Sequence, residues 1–463
     1  MTSPLDILSE LWTGAGGSAT DLASVTLTGD EPVLPSSFRV DAAAQVSIAA
    51  AGLAAAAIWK ARSGQQQRVS VDMLHAAIEC RSERYLRVDD KPPPPAWDAI
   101  AGVYRTGDAR FVRLHTNFPH HRDNVCKVLT CDATRDSVQD ALMGWRGEDF
   151  ETAAYAGGCV VSLMRTRDEW LATEHAKALV RTPLITFEKI GDAPPRPWPK
   201  GDRPLAGLRV LDLSRVIAGP VAGRTFAAHG ADVMLVSHPA LPSIPWLVID
   251  TGRGKLSSFV DLSNAEGKAA FTSLLSRADI FSQGYRPQSL AAHGFAPEDA
   301  ARINPGIVCV SLSAYGHAGP WAGRRGFDSL VQASTGFNHA EGEAAGVEGP
   351  KELPMQILDH ATGYIMAFGA MMGRLRQSKE GGSWLVRVSL ARTAHWLWGL
   401  GRVNGGLSVP EPGKDAVLPL LEQAPSGFGN LRAVRHAAQM SVTPALWTRP
   451  AVPLGNHQPV WPM

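Results

Sequence analysis

The chain has 463 residues, 45% hydrophobic and 19% charged, the composition of an ordinary soluble globular protein long enough for two or three domains. Its 45 Lys and Arg balance 44 Asp and Glu, so no global field selects nucleic acid or an anionic membrane, and an anionic ligand must be held by local groups. Five scattered cysteines form neither a CxxC pair nor zinc-finger spacing with His, which predicts buried free thiols in a reducing cytoplasm.

In chain order, the opening MTSPLDILSELWTG has acids and no basic segment before an apolar run, unlike a signal peptide. Asp41 then leads an Ala-rich helix in FRVDAAAQVSIAAAGLAAAAIW. At roughly 18 residues its apolar run is marginal for a bilayer, and it contains Gln45 and Ser47. A buried helix is predicted, with no membrane partner and a cytoplasmic location. A basic, Gly-containing loop and an alternating strand (Val69, Val71) close a segment 1–88, before the proline cluster from Asp89 to Trp97. Residues 89–200 read as a small α+β domain and linker. GVYRTGDARFVRLHTNF predicts a hairpin turning at Gly107-Asp108, and NFPHHRDN a polar loop. SVQDALMGW, DFETAAYAGGCVVSLM and TRDEWLATEHA predict mostly helix. His120, His121 and Asp123 lack further ligands, so no metal is expected.

A Pro-rich linker from Gly191 to Pro204 precedes a change of pattern over 204–403. Short apolar runs (LRVLDL, DVMLVS, DIFSQ, IVCVSLS) alternate with helical segments, which predicts α/β architecture with a doubly wound parallel sheet, Rossmann-like. Ligands of such sheets bind at the carboxyl ends of the strands. Within it, QILDHATGYIMAFGAMMGRLRQSKEGGSWLVRVSLAR repeats the Asp41 segment: aspartate (Asp359), helix, basic loop and alternating strand (Val386, Val388). DILSELWTGAGGSA faces DSLVQASTGFNHAE upstream of the two copies. Joint agreement of these parts points to common origin, and two copies do not make a solenoid. Residues 404–463 form a closing segment.

Several motifs of the second half, in order, resemble the family III CoA-transferases (CaiB/BaiF), the group of the formyl-CoA and carnitine CoA-transferases. They are PLAGLRVLDLSRVIAGPVAGRTFAAHGADVMLV, SSFVDLSNAEGKAAFTSLLSRADIFSQGYRP, the stretch from Gly294 to Gly336, and LDHATGYIMAFGAMMGRL. YRTGDARFVRLHTNFPHH and RTRDEWLA resemble the small domain that in the family follows the aspartate helix, so the halves stand in rearranged order here. The resemblance implies CoA transfer between an acyl-CoA and a carboxylic acid through an aspartyl mixed anhydride and an aspartyl-CoA thioester. It implies CoA as substrate with no prosthetic group, and an interlocked homodimer, although one chain could supply both halves of a ring.

By motif position Asp359 is the nucleophile and Asp41 its structural copy. An Asp at this point is also a good helix N-cap, and the two roles are compatible. Val216, Ile217 and Ala218 are expected to line the CoA site, with Arg253 and Lys255 meeting its phosphates and Arg325 at a basic position near the ligand. A solvated surface charge is the alternative for each base. The chain departs from the family at Ser237, where an acid is usual, and at Gly284, where Asn is usual. Two other functions fit the same fold: a 2-methylacyl-CoA racemase or isomerase, and a non-catalytic acyl-CoA-binding relative. The racemase branch has His where Phe327 stands here, which argues against proton transfer.

Overall fold

The computed structural model describes residues 2–462. Apolar, β-branched runs with both faces covered, such as Val308–Ser313, build a seven-stranded sheet. Its spatial order is Lys255–Phe259, Asp232–Ser237, Arg209–Leu213, Ile280–Gln283, Val308–Ser313, Ser383–Ser389 and Thr186–Gly191. The first six strands run parallel and the seventh is antiparallel. After laying down the edge strand Thr186–Gly191, the chain takes Arg209–Leu213, winds out to Lys255–Phe259, then returns to Ile280–Gln283 and winds to Ser383–Ser389 beside that first strand. The order therefore reverses between these two neighbours, and the crevice at their carboxyl ends is a topological switch point.

Close helix packing ties this crevice to the repeated segment. The helix Ala218–Ala228 lies against the helix Ile357–Glu380, which carries Asp359. A side chain at Gly363 would stand 2.5 Å from the Ala218 carbonyl oxygen, so glycine is what permits the approach. On its other side the Asp359 helix packs along the Asp41 helix, Val40–Ser63. That second helix is long and apolar enough to cross a membrane, yet 89% of its apolar stretch is buried within the protein.

The two aspartate helices are each followed by a strand, and those strands exchange partners. Val69–Asp72, after the Asp41 helix, pairs with Val25–Thr28 and with the late strand Gln439–Met440. Ser383–Ser389, after the Asp359 helix, receives Thr186–Gly191, the strand that ends the 89–200 region. That region is built on the antiparallel strands Gly102–Arg105, Phe111–Leu114 and Val161–Leu163, with the predicted hairpin. Two local expectations differ. NFPHHRDN opens the helix Pro119–Leu129, because Pro119 at the first helical position presets the backbone. DFETAAYAGGCVVSLM leaves the helix Gly147–Ala156 at Gly157-Gly158, and its end forms the strand Val161–Leu163. The five cysteines are free.

A buried ionic cluster fastens three parts of the chain. Arg224 donates to Ser82 Oγ (3.1 Å) and Asp250 Oδ2 (2.8 Å) and lies 3.9 Å from Glu79. Glu79 also accepts from His436 Nδ1 (3.0 Å) and the Ala437 amide (2.7 Å). Both side chains are 1% exposed. Burial opposes the charge on Glu79, but His436 and Arg224 hold its carboxyl well below the usual range. Removing one member of such a set strands the others without water. Glu79→Ala is expected to cost about 3–5 kcal/mol in chemical denaturation at pH 7. Because the carboxyl is depressed, its contribution is present above the unfolded range, and the gap between variant and wild type should narrow as pH falls below about 4.

Candidate active site

Asp359 stands in the first turn of its helix but does not cap it. Gln356 is the capping position, with no side-chain cap. The Asp359 amide donates instead to Asp328 Oδ2 (2.9 Å), on the neighbouring helix Asp328–Thr335. Gln332 holds the other Asp328 oxygen. The N-cap role expected for Asp359 is thus filled from another element, which frees its carboxylate. That carboxylate accepts no hydrogen bond among the described residues, and the residue is 6% exposed. Burial, then the carboxylates of Asp328 and Glu83, push its pKa well above the ordinary value. Burial also lifts Asp328, to about 7. Two acids this close resist simultaneous ionisation.

Asp41 is treated differently. Its Oδ2 accepts from the amides of Val33 (2.7 Å) and Leu34 (3.2 Å), so the side chain clasps the preceding loop. Burial raises its pKa to about 6 against those two amides. Asp6, which faces Asp328 in the repeat, caps its own helix with Ser3. The copies share a backbone plan and differ in what their carboxylates do.

The crevice at the switch point lies one helical turn away, because Gly363, four residues after Asp359, touches Ala218. Val216 borders it with φ +72°, a costly conformation for a β-branched residue. Ile217 and Ala218 continue the turn and are buried. A cavity of about 310 Å³ runs past Val216, Gly284, Tyr285, Arg286 and Phe327. Arg215, Arg286, Arg324 and Arg325 face it with His120 and His121, and no acid among the described residues lines it. Arg325 is tethered by the Gly158 carbonyl at 3.1 Å. Arg215 lies over the Phe118 ring. Arg215 and Arg286, in RVIAGP and GYRP, are site residues that the sequence expectations did not include. Their motif positions beside the turn were the available signal.

Arg253 and Lys255, expected to meet phosphates, do not reach this cavity. Arg253 donates to the Val434 carbonyl (2.8 Å) and the Asp250 carboxylate (3.3 Å) and lies 4.1 Å from the Trp447 ring centre. Lys255 Nζ donates to Asp212 Oδ2 and the Pro220 carbonyl, both at 2.9 Å. Each is at most 3% exposed, so both serve internal ion pairs. His115 stacks on Phe327 with ring centres 3.9 Å apart, and burial, then His121, push its pKa down to about 3. The position a proton-transferring histidine would need is therefore apolar and filled.

Residues 205–413 match CoA-transferase family III. The matching stretch is built of mixed α/β structure on a largely parallel sheet. The chain is 27% identical over 415 residues to an acyl-CoA transferase of Gibberella moniliformis, covering 80% of this chain and 72% of that protein. It is 30% identical over 233 residues to a probable fatty acyl-CoA transferase of Mycobacterium tuberculosis, covering 46% and 59%. A crystal structure of the mycobacterial protein is 31% identical, covers 42% of this chain and 56% of that one, and superposes with a TM-score of 0.40. The chain spans little more than half the length of the mycobacterial relative.

Asp328→Asn keeps an oxygen for the Asp359 amide and removes the charge that raises Asp359. The pH at which Asp359 becomes unreactive toward carbodiimide, read by peptide mass mapping, should fall by on the order of one unit.

Proposed function

We propose that the protein is an enzyme that moves coenzyme A between an acyl-CoA thioester and a carboxylic acid, with Asp359 as the nucleophile. The observation that carries this reading is a buried carboxylate with no hydrogen-bond donor, beside a cationic crevice at the switch point of the stretch that matches family III. In this scheme an Asp359 oxygen attacks the thioester carbonyl, the C–S bond breaks, and CoA leaves as thiolate. The thiolate then attacks the aspartyl carbonyl of the mixed anhydride and releases the first carboxylate. The acceptor carboxylate attacks the aspartyl-CoA thioester, and the returning thiolate takes the new acyl group, regenerating Asp359. Acylation removes the charge that Asp328 and Glu83 oppose, so their repulsion is relieved as the C–O bond forms. The helix amino terminus offers positive potential to the developing oxyanion.

The crevice supports CoA placed with its thioester toward Asp359 along the 216–218 turn and its phosphates toward Arg215, Arg286 and Arg325. The Gly284 and Ser237 departures leave these arginines as the main anchors. The exchanged strands support a layout in which 1–88 and 404–463 embrace the 204–403 domain, with 89–200 as the small domain. One chain then supplies both halves of the ring that the resemblance assigns to a homodimer.

Mixing the protein with a panel of acyl-CoAs and trapping with hydroxylamine or borohydride tests the nucleophile. The expected adduct maps to Asp359, disappears in Asp359→Ala and persists in Asp41→Ala. An adduct that follows Asp41 contradicts the assignment, and no adduct from any donor contradicts CoA transfer. Arg325→Ala should weaken CoA binding by roughly ten- to a hundredfold in calorimetry, the range of a charge-assisted hydrogen bond.

A further inference from the structure

An acid from far away in the chain reaches the residue next to Asp359. Glu83 lies in the short helix Ser82–Tyr85, 277 residues before its contact. Its Oε2 is 3.3 Å from His360 Nε2, and His360 is the residue after Asp359. The His360 ring is 1% exposed, and its Nδ1 has no partner among the described residues. It is therefore held by Glu83 alone. Neighbouring side chains at a helix start diverge, and this divergence is used: Asp359 faces Asp328 while His360 reaches the N-terminal segment.

We propose that Glu83 is a positioning residue for Asp359, supplied by the N-terminal segment of the same chain, so that one chain completes one working site. The inference rests on the CoA-transfer reading above. Three observations carry it. Glu83 is fixed by His360 on one side and by Arg84, whose Nε lies 3.8 Å from Oε1, on the other. The segment that carries it is anchored through Glu79 and Ser82 to Arg224 and Asp250 of the 204–403 domain. The Asp41 copy has its own carboxylate engaged by two amides and its Asp328 counterpart turned to a surface cap. The N-terminal segment thus gives up a site of its own and lends a charge to the other.

The charges acting on Asp359 are Asp328, on the 328–335 helix and bound to its amide, and Glu83, on the 82–85 helix and bound to His360 beside it in sequence. With Asp328 unchanged, Glu83 sets the remaining negative field. Replacing Glu83 by Gln preserves a hydrogen bond to His360 and removes the charge, whereas Glu83→Asp keeps the charge on a shorter stem. A purely structural Glu83 would leave the titration of Asp359 unmoved in Glu83→Gln.

The test uses the full chain and three readouts. Carbodiimide labelling of Asp359 against pH, which needs no substrate, should have its midpoint lowered by on the order of one unit in Glu83→Gln. The midpoint should return toward wild type in Glu83→Asp. An unchanged midpoint in a Glu83→Gln variant with the wild-type melting temperature overturns the proposal. Co-expression of Asp359→Ala and Glu83→Ala chains as a tagged pair asks whether Glu83 acts within its own chain. No recovered transfer is expected, and recovery in the mixed species overturns the single-chain site. The wild-type trapping experiment fails separately if CoA transfer itself is the wrong reading.

Discussion

The ion cluster around Arg224 is the contact on which the arrangement depends. Arg224 belongs to the first helix of the sheet domain, Glu79 and Ser82 to the N-terminal segment, and His436 to the C-terminal one. Each charge is almost wholly out of water, and none could remain so without the others. The cluster fixes orientation where apolar surface alone would tolerate sliding. The 82–85 helix, with Glu83, begins at Ser82, which binds Asp250 directly. The same bonds that join the three segments therefore place an N-terminal carboxylate against His360, the residue after Asp359.

The repeated segment shows how one backbone plan supports two chemistries. Both aspartates begin buried 24-residue helices that pack against each other. At Asp359 a second acid takes over the amide, and the free carboxylate is left in a field that opposes its charge. At Asp41 two loop amides absorb the carboxylate. A donor gained or lost within hydrogen-bond reach is enough to separate a reactive group from a structural clasp. The strained Val216 and the close contact at Gly363 lie on the reactive side, where the backbone must approach both the crevice and the helix.

Much of this was legible in the sequence. Strand and helix alternation and the buried Asp41 helix follow from apolar runs and glycine punctuation that any reader can count. The recurrence of its segment drew attention to Asp359 and Asp41 alike, and only the position of Asp359 in the motifs that resemble family III separated the two. The partners of charged residues were not legible: Arg253 and Lys255 look like phosphate ligands until Asp250 and Asp212 are found beside them. Asp328 and Glu83 reach Asp359 across 31 and 276 positions, and spacing carries no trace of such contacts. The helix at Pro119 was readable from proline at a first helical position, a signal outweighed by the polar run after it.

The most direct measurement is isotopic. Turnover with an acceptor carboxylate labelled with 18O in both oxygens, in ordinary water, leaves one labelled oxygen on the nucleophile when the anhydride is opened at the acceptor carbonyl. Digestion and mass mapping should find that heavy oxygen in the peptide containing Asp359 and not in the one containing Asp41. Acyl-CoA product formed with no label on Asp359 would contradict the account.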